Sequence, residues 1–291
     1  MDQRIVTLYD RFTHGGLNRR DFLDQLTILA GGATAATAAL AALQSDYAQA
    51  QTVRDNDPRL TIETVSFPSG SSKIDGYLAR PADATKRPAV IVIHENRGLN
   101  PHIKDIARRI ALAGFIAFAP DYLTALGGTP ADEDKARDLF PQLKPADVVA
   151  SSRAVVAGLK ARADSTGKVG AIGFCWGGGQ VNALAVADPT LDAGVAYYGG
   201  QPRAEDVAAI KAPLMLHYAG LDERINAGIP AYEAALRQND KTFELFIYPN
   251  VNHAFNNDTG GARYDKTAAD LAWGRTIGFL RKYLGDAPAA G

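Results

Sequence analysis

The stretch Gly173-Phe174-Cys175-Trp176-Gly177-Gly178-Gly179 follows the short apolar run 169–173 and precedes a helical segment, 178–187. Its pattern of glycine, any residue, nucleophile, any residue, glycine predicts a sharp turn between a strand and a helix. The glycines are needed because side chains do not fit so tight a turn. A helix that begins here lowers the pKa of the Cys175 thiol, and the backbone N–H of Trp176 can donate to an oxyanion. The alternative is a buried structural cysteine.

Strand and helix patterns alternate on both sides of this turn. Short and almost continuously apolar runs, typical of strands covered on both faces, occupy residues 89–94, 115–119, 169–173, 193–198, 214–218 and 243–248. Helical patterns occupy residues 103–113, 132–161, 178–187, 229–239 and 264–284. This alternation predicts an α/β fold with a mostly parallel sheet and helices on both faces. Residues 61–67 and 73–80 alternate apolar and polar side chains and predict an antiparallel hairpin at the sheet edge.

Two further strand ends carry residues that suit catalysis. Sites in such sheets lie at the carboxyl ends of the strands. Asp222 follows the run 214–218, and His253 follows the run 243–248. The chain order of nucleophile, acid and histidine is that of α/β-hydrolases. In this arrangement His253 takes the thiol proton and Asp222 orients the imidazole, with Glu223 as the competing acid.

The loop His94-Glu95-Asn96-Arg97-Gly98-Leu99 follows the first run of the predicted parallel sheet. A loop at this place supplies the second oxyanion donor, which we assign to the backbone N–H of Asn96. Glu95 either holds or accepts the thiol proton, or is a solvated acid that pairs with Arg97. Arg97 either binds a substrate carboxylate or pairs locally.

Together these residues resemble the dienelactone hydrolase, or carboxymethylenebutenolidase-like, family of the α/β-hydrolase superfamily. The resemblance rests on Glu95, on the turn around Cys175, on Gly220-x-Asp222 and on His253-x-Phe255. It implies that Glu95 deprotonates Cys175 when substrate binds and that the thiolate attacks an ester or lactone carbonyl. Water would then hydrolyse the acyl-cysteine, and no cofactor is needed.

The resemblance covers residues 60–285, but the sequence differs from the family pattern at the residues that bind the substrate. The family holds a substrate carboxylate with two arginines, and residues 120–125 and 255–257 offer none at the matching places. A less charged pocket is therefore expected, and the substrate is a small ester or lactone. The candidate substrate-binding residues are Arg97, Tyr122, Tyr198 and Phe255, with Trp176 beside them.

Two other functions stay open from the sequence. One is a thioester or peptide hydrolase of the same fold. The other is a non-catalytic domain in which Cys175 senses oxidant or the fold binds a ligand, although no second cysteine exists to resolve an oxidised thiol.

Composition limits the partners. With 291 residues and 46% hydrophobic content, residues 51–291 suffice for a single catalytic domain. Lys and Arg total 31 against 32 acidic residues, so no basic field exists to attract nucleic acid or an anionic membrane. The single cysteine excludes an internal disulfide, and the Cys and His spacing predicts no metal site. We expect a monomer or small homo-oligomer.

Residues 1–50 differ in composition from the rest. Asn18-Arg19-Arg20-Asp21-Phe22-Leu23 precedes an alanine-rich run, 26–43, and then Ala48-Gln49-Ala50. This order resembles a twin-arginine export signal that is cleaved after Ala50, which implies a periplasmic protein. The run is too polar for a permanent membrane anchor. The alternative is a helical arm that stays attached and packs on the domain or on a neighbouring subunit of a cytoplasmic protein. His14 lies in the predicted signal and is given no catalytic role.

Overall fold

The computed structural model describes residues 1–46 and 51–286, so the predicted cleavage point at Ala48-Gln49-Ala50 lies outside the described residues. Eight strands form one sheet in the order β1-β2-β4-β3-β5-β6-β7-β8. Their bounds are β1 Leu60–Ser69, β2 Ser72–Pro81, β3 Arg87–Ile93, β4 Ile116–Pro120, β5 Ser165–Phe174, β6 Ala193–Tyr197, β7 Leu214–Ala219 and β8 Phe243–Tyr248. The strands from β4 to β8 pair in parallel, and β2 pairs antiparallel with both β1 and β4. The predicted parallel sheet with an edge hairpin is confirmed.

Ten α-helices flank the sheet or precede it in the described part of the chain. The first three are α1 Gln3–Thr13, α2 Arg19–Ala30 and α3 Ala33–Leu43. The others are α4 Pro101–Leu112, α5 Glu133–Leu139, α6 Pro145–Ala161, α7 Trp176–Ala187, α8 Glu223–Asn226, α9 Ile229–Gln238 and α10 Lys266–Leu284.

The helix predicted over residues 132–161 is wrong in one respect, because it is broken. A short 3₁₀ turn that contains Pro141 follows α5, and Pro145 is the first residue of α6. Proline lacks a backbone N–H and disfavours the helical conformation of the residue before it. The apolar periodicity continues across the break, so the pattern alone does not reveal it.

The sheet separates two hydrophobic cores. Ile91 and Ile93 of β3 face the core that is shared with α6, α7 and α9, while Val90 and Val92 face the core shared with α4 and α10. This alternation is the two-residue period of a strand that is buried on both faces. The rigid sheet fixes the carboxyl ends of β3, β5, β6, β7 and β8 relative to one another.

A third apolar cluster holds α1, α2 and α3 together. Its members include Tyr9, Phe12, Phe22, Leu26 and Leu43, and the rings of Phe12 and Phe22 stack with centroids 4.3 Å apart. Within the described ranges, no single helix is long and apolar enough to cross a membrane. The pair α2 and α3, bent by 110°, meets that test only when both helices are taken together.

The three N-terminal helices contact the rest of the chain around the carboxyl edge of the sheet. Arg263 donates to the carbonyl of Leu43 and lies over the ring of Tyr9. The backbone N–H of Asp46 donates to the carbonyl of Thr259 at 2.9 Å. The N-terminal segment is therefore packed on the domain, as in the arm alternative.

Candidate active site

Cys175 occupies the turn between β5 and α7, with φ 56° and ψ −115°. Its N–H donates to the carbonyl of Tyr197 at 3.0 Å, which fixes the turn to the neighbouring strand. A Cβ on Gly173 would lie 2.1 Å from the carbonyl oxygen of Gly177, and one on Gly177 would lie 2.4 Å from that of Ile93. No side chain fits at either position, which is the predicted reason for the glycines. The left-handed conformation holds the thiol above the start of α7.

His253 and Asp222 meet above the same edge of the sheet. Nδ1 of His253 lies 2.5 Å from Oδ2 of Asp222, and both side chains are buried. Asp222 also accepts the N–H of Ile225 as the N-cap of α8, so its carboxylate is held from two sides. Glu223, the competing acid, is exposed to solvent. Nε2 of His253 is buried and has no hydrogen-bond partner within residues 1–46 and 51–286.

His14, at the C-terminal end of α1, reaches the same sulfur. Its Nε2 lies 3.1 Å from Sγ of Cys175, and its Nδ1 lies 3.0 Å from Oδ1 of Asp10. The rings of His14 and His253 pack edge to face with centroids 4.8 Å apart. From the sequence His14 was assigned only to the N-terminal segment, whereas the structure brings its ring to the sulfur of Cys175. Asp10 and His14 are four residues apart on an amphipathic helix, and this spacing was the one signal in the sequence that could have pointed to a pair.

The two imidazoles set the protonation state of the thiol. Burial raises the pKa of Cys175, but the positive charges of His14 and His253 lower it to about 6. Burial likewise lowers the pKa of His14, whereas the Cys175 charge and the hydrogen bond to Asp10 raise it to about 9. Burial also opposes a charge on His253, yet Asp222 and Cys175 hold its pKa well above the ordinary value. The site therefore favours a thiolate between charged imidazoles at neutral pH.

Glu95 and Asn96 lie beside the thiol in the loop after β3. Glu95 is buried, its Oε2 accepts from Nδ2 of Asn257 at 3.0 Å, and it shares a small cavity with Cys175. Glu95 is therefore not the solvated acid of the alternative reading, and Arg97 forms an ion pair with Glu133. The side chain of Asn96 donates to the carbonyl of Thr13 at 2.8 Å. This bond ties the loop to the end of α1.

A cavity of about 860 Å³ opens above Cys175 and His253. Its apolar wall is aromatic and is formed by Phe12, Phe140, Trp176 and Tyr198. The described arginines that line it are all in ion pairs: Arg19 and Arg137 with Asp134, and Arg224 with Asp10. The cavity wall is therefore mainly apolar, and the charges of its arginines are balanced by carboxylates.

The candidate substrate-binding residues divide between the cavity and its support. Tyr198 lines the cavity, whereas Arg97, Tyr122 and Phe255 are absent from its lining. Tyr122 hydrogen bonds through its hydroxyl to Ser152 and packs edge-on against Trp176. Phe255 lies fully buried against the ring of Tyr198, with centroids 5.5 Å apart. The rings of Tyr122 and Phe255 thus pack beneath the cavity residues Trp176 and Tyr198, while Arg97 lines the small cavity that Glu95 shares with Cys175.

His14, Cys175 and His253 also form a set of possible metal ligands. Their ligating atoms lie within 4.8 Å of one another, and each histidine has a carboxylate on its other ring nitrogen. Zinc takes cysteine sulfur and histidine nitrogen as ligands, and its histidine ligands commonly donate their other ring N–H to a carboxylate. The spacing argument missed the cluster because His14 and Cys175 are 161 residues apart. A bound ion would occupy the sulfur.

The strand order, the turn at Cys175 and the pair of Asp222 and His253 define an α/β-hydrolase fold. A model of the dienelactone hydrolase family matches residues 74–284, and the chain belongs to that family. It is accordingly a hydrolase that acts on a small molecule. A second family model, described as YqhI-like, matches residues 1–31.

Relatives and solved structures agree with this assignment. A Saccharolobus solfataricus protein named "Putative carboxymethylenebutenolidase" is 34% identical over 254 residues, covering 75% of this chain and 97% of that protein. A Klebsiella pneumoniae crystal structure described as a "Putative Dienelactone Hydrolase" superposes with a TM-score of 0.71 at 30% identity, covering 77% of this chain and 99% of that one. The dienelactone hydrolase-like promiscuous phosphotriesterase P91, from metagenomic libraries, superposes with a TM-score of 0.71 at 26% identity, covering 78% and 100%.

Proposed function

We propose that this protein hydrolyses a carboxylic ester or lactone, with Cys175 as nucleophile, His253 as base and Asp222 as the residue that orients His253. The observation that carries the proposal is the arrangement above the sheet. A thiol in a strained turn lies near the buried Nε2 of His253, whose other nitrogen is 2.5 Å from Asp222. Nucleophile, base and orienting carboxylate are the three parts that acyl transfer needs.

The proposed reaction has two halves. The Cys175 thiolate adds to the carbonyl carbon, the C–S bond forms, and the C–O bond breaks while the departing oxygen takes a proton from an imidazolium of the site. Water then adds to the acyl-cysteine as His253 takes one of its protons, and the C–S bond breaks to return the thiolate. The proposed donors to the oxyanion are the backbone N–H groups of Trp176 and Asn96, two residues that line the cavity.

The role of Glu95 toward the thiol proton also stays a proposal. Its carboxylate shares the small cavity with Cys175 and His253, which supports contact with the reacting groups. Its hydrogen bond to Asn257 holds it at the edge of that cavity.

The cavity favours a neutral and partly apolar substrate. A dianionic or monoanionic lactone would need an unpaired cation, and Arg19, Arg137 and Arg224 are all engaged by carboxylates. The rings of Phe12, Phe140 and Trp176 instead offer apolar surface to an acyl or aryl group. We therefore propose a broad esterase or a lactonase for uncharged lactones.

Hydrolysis of p-nitrophenyl acetate and of a neutral unsaturated lactone tests the proposal. Wild-type protein is compared with Cys175→Ala and Cys175→Ser, and the mass of the Cys175 peptide is followed during incubation with iodoacetamide. Turnover that disappears in step with alkylation and in Cys175→Ala supports the proposed nucleophile. Unchanged turnover in Cys175→Ala rules it out.

The same assay separates the alternatives. An acyl thioester or a peptide with a higher kcat/KM than the ester would assign the site to a thioester or peptide hydrolase. A phosphotriester belongs in the panel because P91 is described as a phosphotriesterase. A thiol that alkylates rapidly without turnover of any of these substrates would favour a sensor or ligand-binding domain.

We also propose export by the twin-arginine route, with a cytoplasmic protein as the alternative. Arg19 and Arg20 are both exposed, so an export machinery can reach them in the folded chain. Fractionation of cells that express the wild type and the Arg19→Lys/Arg20→Lys double variant tests this. A wild-type protein in the periplasm with the variant in the cytoplasm supports export. Finding both proteins in the cytoplasm excludes it. A monomer or small homo-oligomer remains the proposed assembly.

A further inference from the structure

The end of α1 lies directly on the proposed nucleophile. Nε2 of His14 is 3.1 Å from Sγ of Cys175, which is a hydrogen-bond distance for sulfur. Nδ1 of the same ring faces Oδ1 of Asp10 at 3.0 Å, and Asp10 in turn accepts from Arg224 at 3.2 Å. The ring is therefore fixed from the nitrogen that faces away from the sulfur, as His253 is fixed by Asp222.

Other contacts hold α1 in this place independently of His14. The side chain of Asn96 donates to the carbonyl of Thr13, and Gln3 donates to the side chain of Asn252 at 2.6 Å. Arg137 lies over the ring of Phe12 with 4.6 Å between the guanidinium carbon and the ring centroid. These three partners belong to the catalytic domain: Asn96 and Asn252 are adjacent in sequence to Glu95 and His253, and Arg137 lines the cavity.

His14 lies outside the residues that the dienelactone hydrolase model matches and inside those that the YqhI-like model matches, 1–31. The family model begins at residue 74, and the Klebsiella structure is covered over 99% of its length by only 77% of this chain. Cys175, Asp222 and His253 all lie inside residues 74–284, so the proposed triad is complete without α1. A second imidazole on the sulfur therefore needs an explanation of its own.

We propose that His14 is a second catalytic imidazole, which holds Cys175 as a thiolate before substrate arrives, and that α1 is thus part of the active site. This inference rests on the proposed function for the role of Cys175. The thiol proton passes to Nε2 of His14: the S–H bond breaks, the N–H bond forms, and the electron pair stays on sulfur. The resulting imidazolium then donates its N–H back to the sulfur, and Asp10 balances its charge.

Several charged or titratable groups face the sulfur and the His14 ring. Asp10 pairs with the His14 ring, and His253, which Asp222 holds, lies near the sulfur with Tyr198 and Arg224. The small cavity that His14 and Cys175 share is also lined by Glu95, Arg97, Glu133 and Arg263. Among them, His14 and His253 lower the pKa of the thiol, against the effect of burial, which raises it. A variant that removes only the His14 ring therefore separates its effect from that of His253.

The experiment measures the rate of Cys175 alkylation by iodoacetamide as a function of pH in the full-length protein. In wild type the midpoint is expected near the low pKa of Cys175. In His14→Gln we expect it to rise by about one pH unit or more, with a smaller rise in Asp10→Asn, because one imidazolium is lost or weakened. His102→Gln is the matched control, since it breaks another His–Asp pair, 3.0 Å from Asp258, away from the sulfur.

Thermal unfolding of each variant accompanies the alkylation, and Asp10→Asn replaces His14→Gln should the latter fail to fold. A midpoint in the folded variants that equals the wild-type value overturns the inference. A midpoint that shifts in Glu95→Gln but not in His14→Gln also overturns it, because the carboxylate and not the imidazole would then control the thiol. Neither result depends on ester turnover. If the wild type hydrolyses no ester but His14→Gln still raises the alkylation midpoint, the proposed function is refuted and the role of His14 toward the thiol is retained.

Discussion

Cys175 is the residue whose protonation makes the activity of the proposed site depend on pH. Its pKa of about 6 places the thiolate above that pH and the thiol below it. We expect kcat/KM for p-nitrophenyl acetate to be nearly level at neutral pH and to fall about tenfold for each pH unit well below 6, because only the thiolate attacks. A pH–rate profile measures this. A midpoint near the ordinary value of 9.0 for cysteine would contradict it.

Asp222 and Glu223 are neighbours in sequence with different surroundings. Asp222 is buried against His253, and Glu223 is exposed. Asp222→Asn is expected to lower kcat by about 10²–10⁴, because the amide no longer selects the required imidazole tautomer. Glu223→Gln is the matched control and should keep wild-type kcat. Steady-state kinetics check both, and equal losses in the two variants would count against the assignment.

The cluster of His14, Cys175 and His253 predicts that zinc inhibits the site. Added Zn²⁺ is expected to suppress both ester turnover and alkylation, because a metal-bound thiolate is no longer a free nucleophile. Removal of the ion with a chelator should restore both rates. His14→Gln should weaken the inhibition by removing one ligand, and turnover that rises with added Zn²⁺ would contradict the proposed mechanism.

At the residue scale, the sequence predicts part of the site and misses another part. Cys175, Asp222 and His253 each follow a strand, and parallel strands bring their carboxyl ends to one edge, so their meeting is predictable. Tyr122 and Phe255 follow strands too, yet they fill the layer below the cavity. His14 follows no strand, and its contact with the sulfur depends on the packing of α1, which no local pattern specifies.

At the scale of elements, the end of α3 and the turn at Gly261 are in close contact. Gly261 has φ +57°, and a Cβ there would lie 2.3 Å from the carbonyl oxygen of Ala42. Gly261→Ala is expected to push α3 away from the domain, lowering both the melting temperature and the ester activity. Thermal unfolding and steady-state kinetics measure the two effects.

Gly274 in α10 is the control for this substitution. It is exposed, and a Cβ there meets open space. Gly274→Ala is expected to leave activity unchanged and to stabilise the fold by up to about 1 kcal/mol, since alanine favours helix. A Gly261→Ala protein as stable and active as Gly274→Ala would show that the contact with α3 is unimportant.

The strands were predictable as elements because the parallel ones are apolar runs and the edge hairpin alternates apolar and polar residues. The helix boundaries were less predictable. The break between α5 and α6 comes from Pro141 and Pro145, which interrupt the backbone hydrogen bonds without changing the apolar pattern. This break matters for the site, because it directs Phe140 toward Trp176, where the rings lie 4.9 Å apart.

On the scale of the whole molecule, residues 1–46 and the catalytic domain act as one structure. The sequence favoured a cleaved export signal because the order of basic, apolar and small residues is local, while the packing of α1, α2 and α3 on the domain is not. A local pattern does not show long-range contacts. Here these contacts are the buried rings of Tyr9, Phe12 and Phe22 and the ion pair of Arg19 with Asp134. Export and packing are compatible if the export machinery recognises the segment in the folded protein and the segment is not cleaved afterwards.

Whether the segment is kept can be measured by the intact mass of the protein purified from cells and from the periplasmic fraction. We expect the active protein to retain residues 1–46. Cleavage after Ala50 would remove His14 and Asp10 and would uncover surface that Phe12 now covers in the cavity wall. A chain that begins at Gln51 should therefore show a higher midpoint for Cys175 alkylation and a lower kcat/KM. A Gln51 chain with the wild-type midpoint and turnover would establish a discarded signal and would overturn the role of His14, while leaving the roles of Cys175, Asp222 and His253 intact.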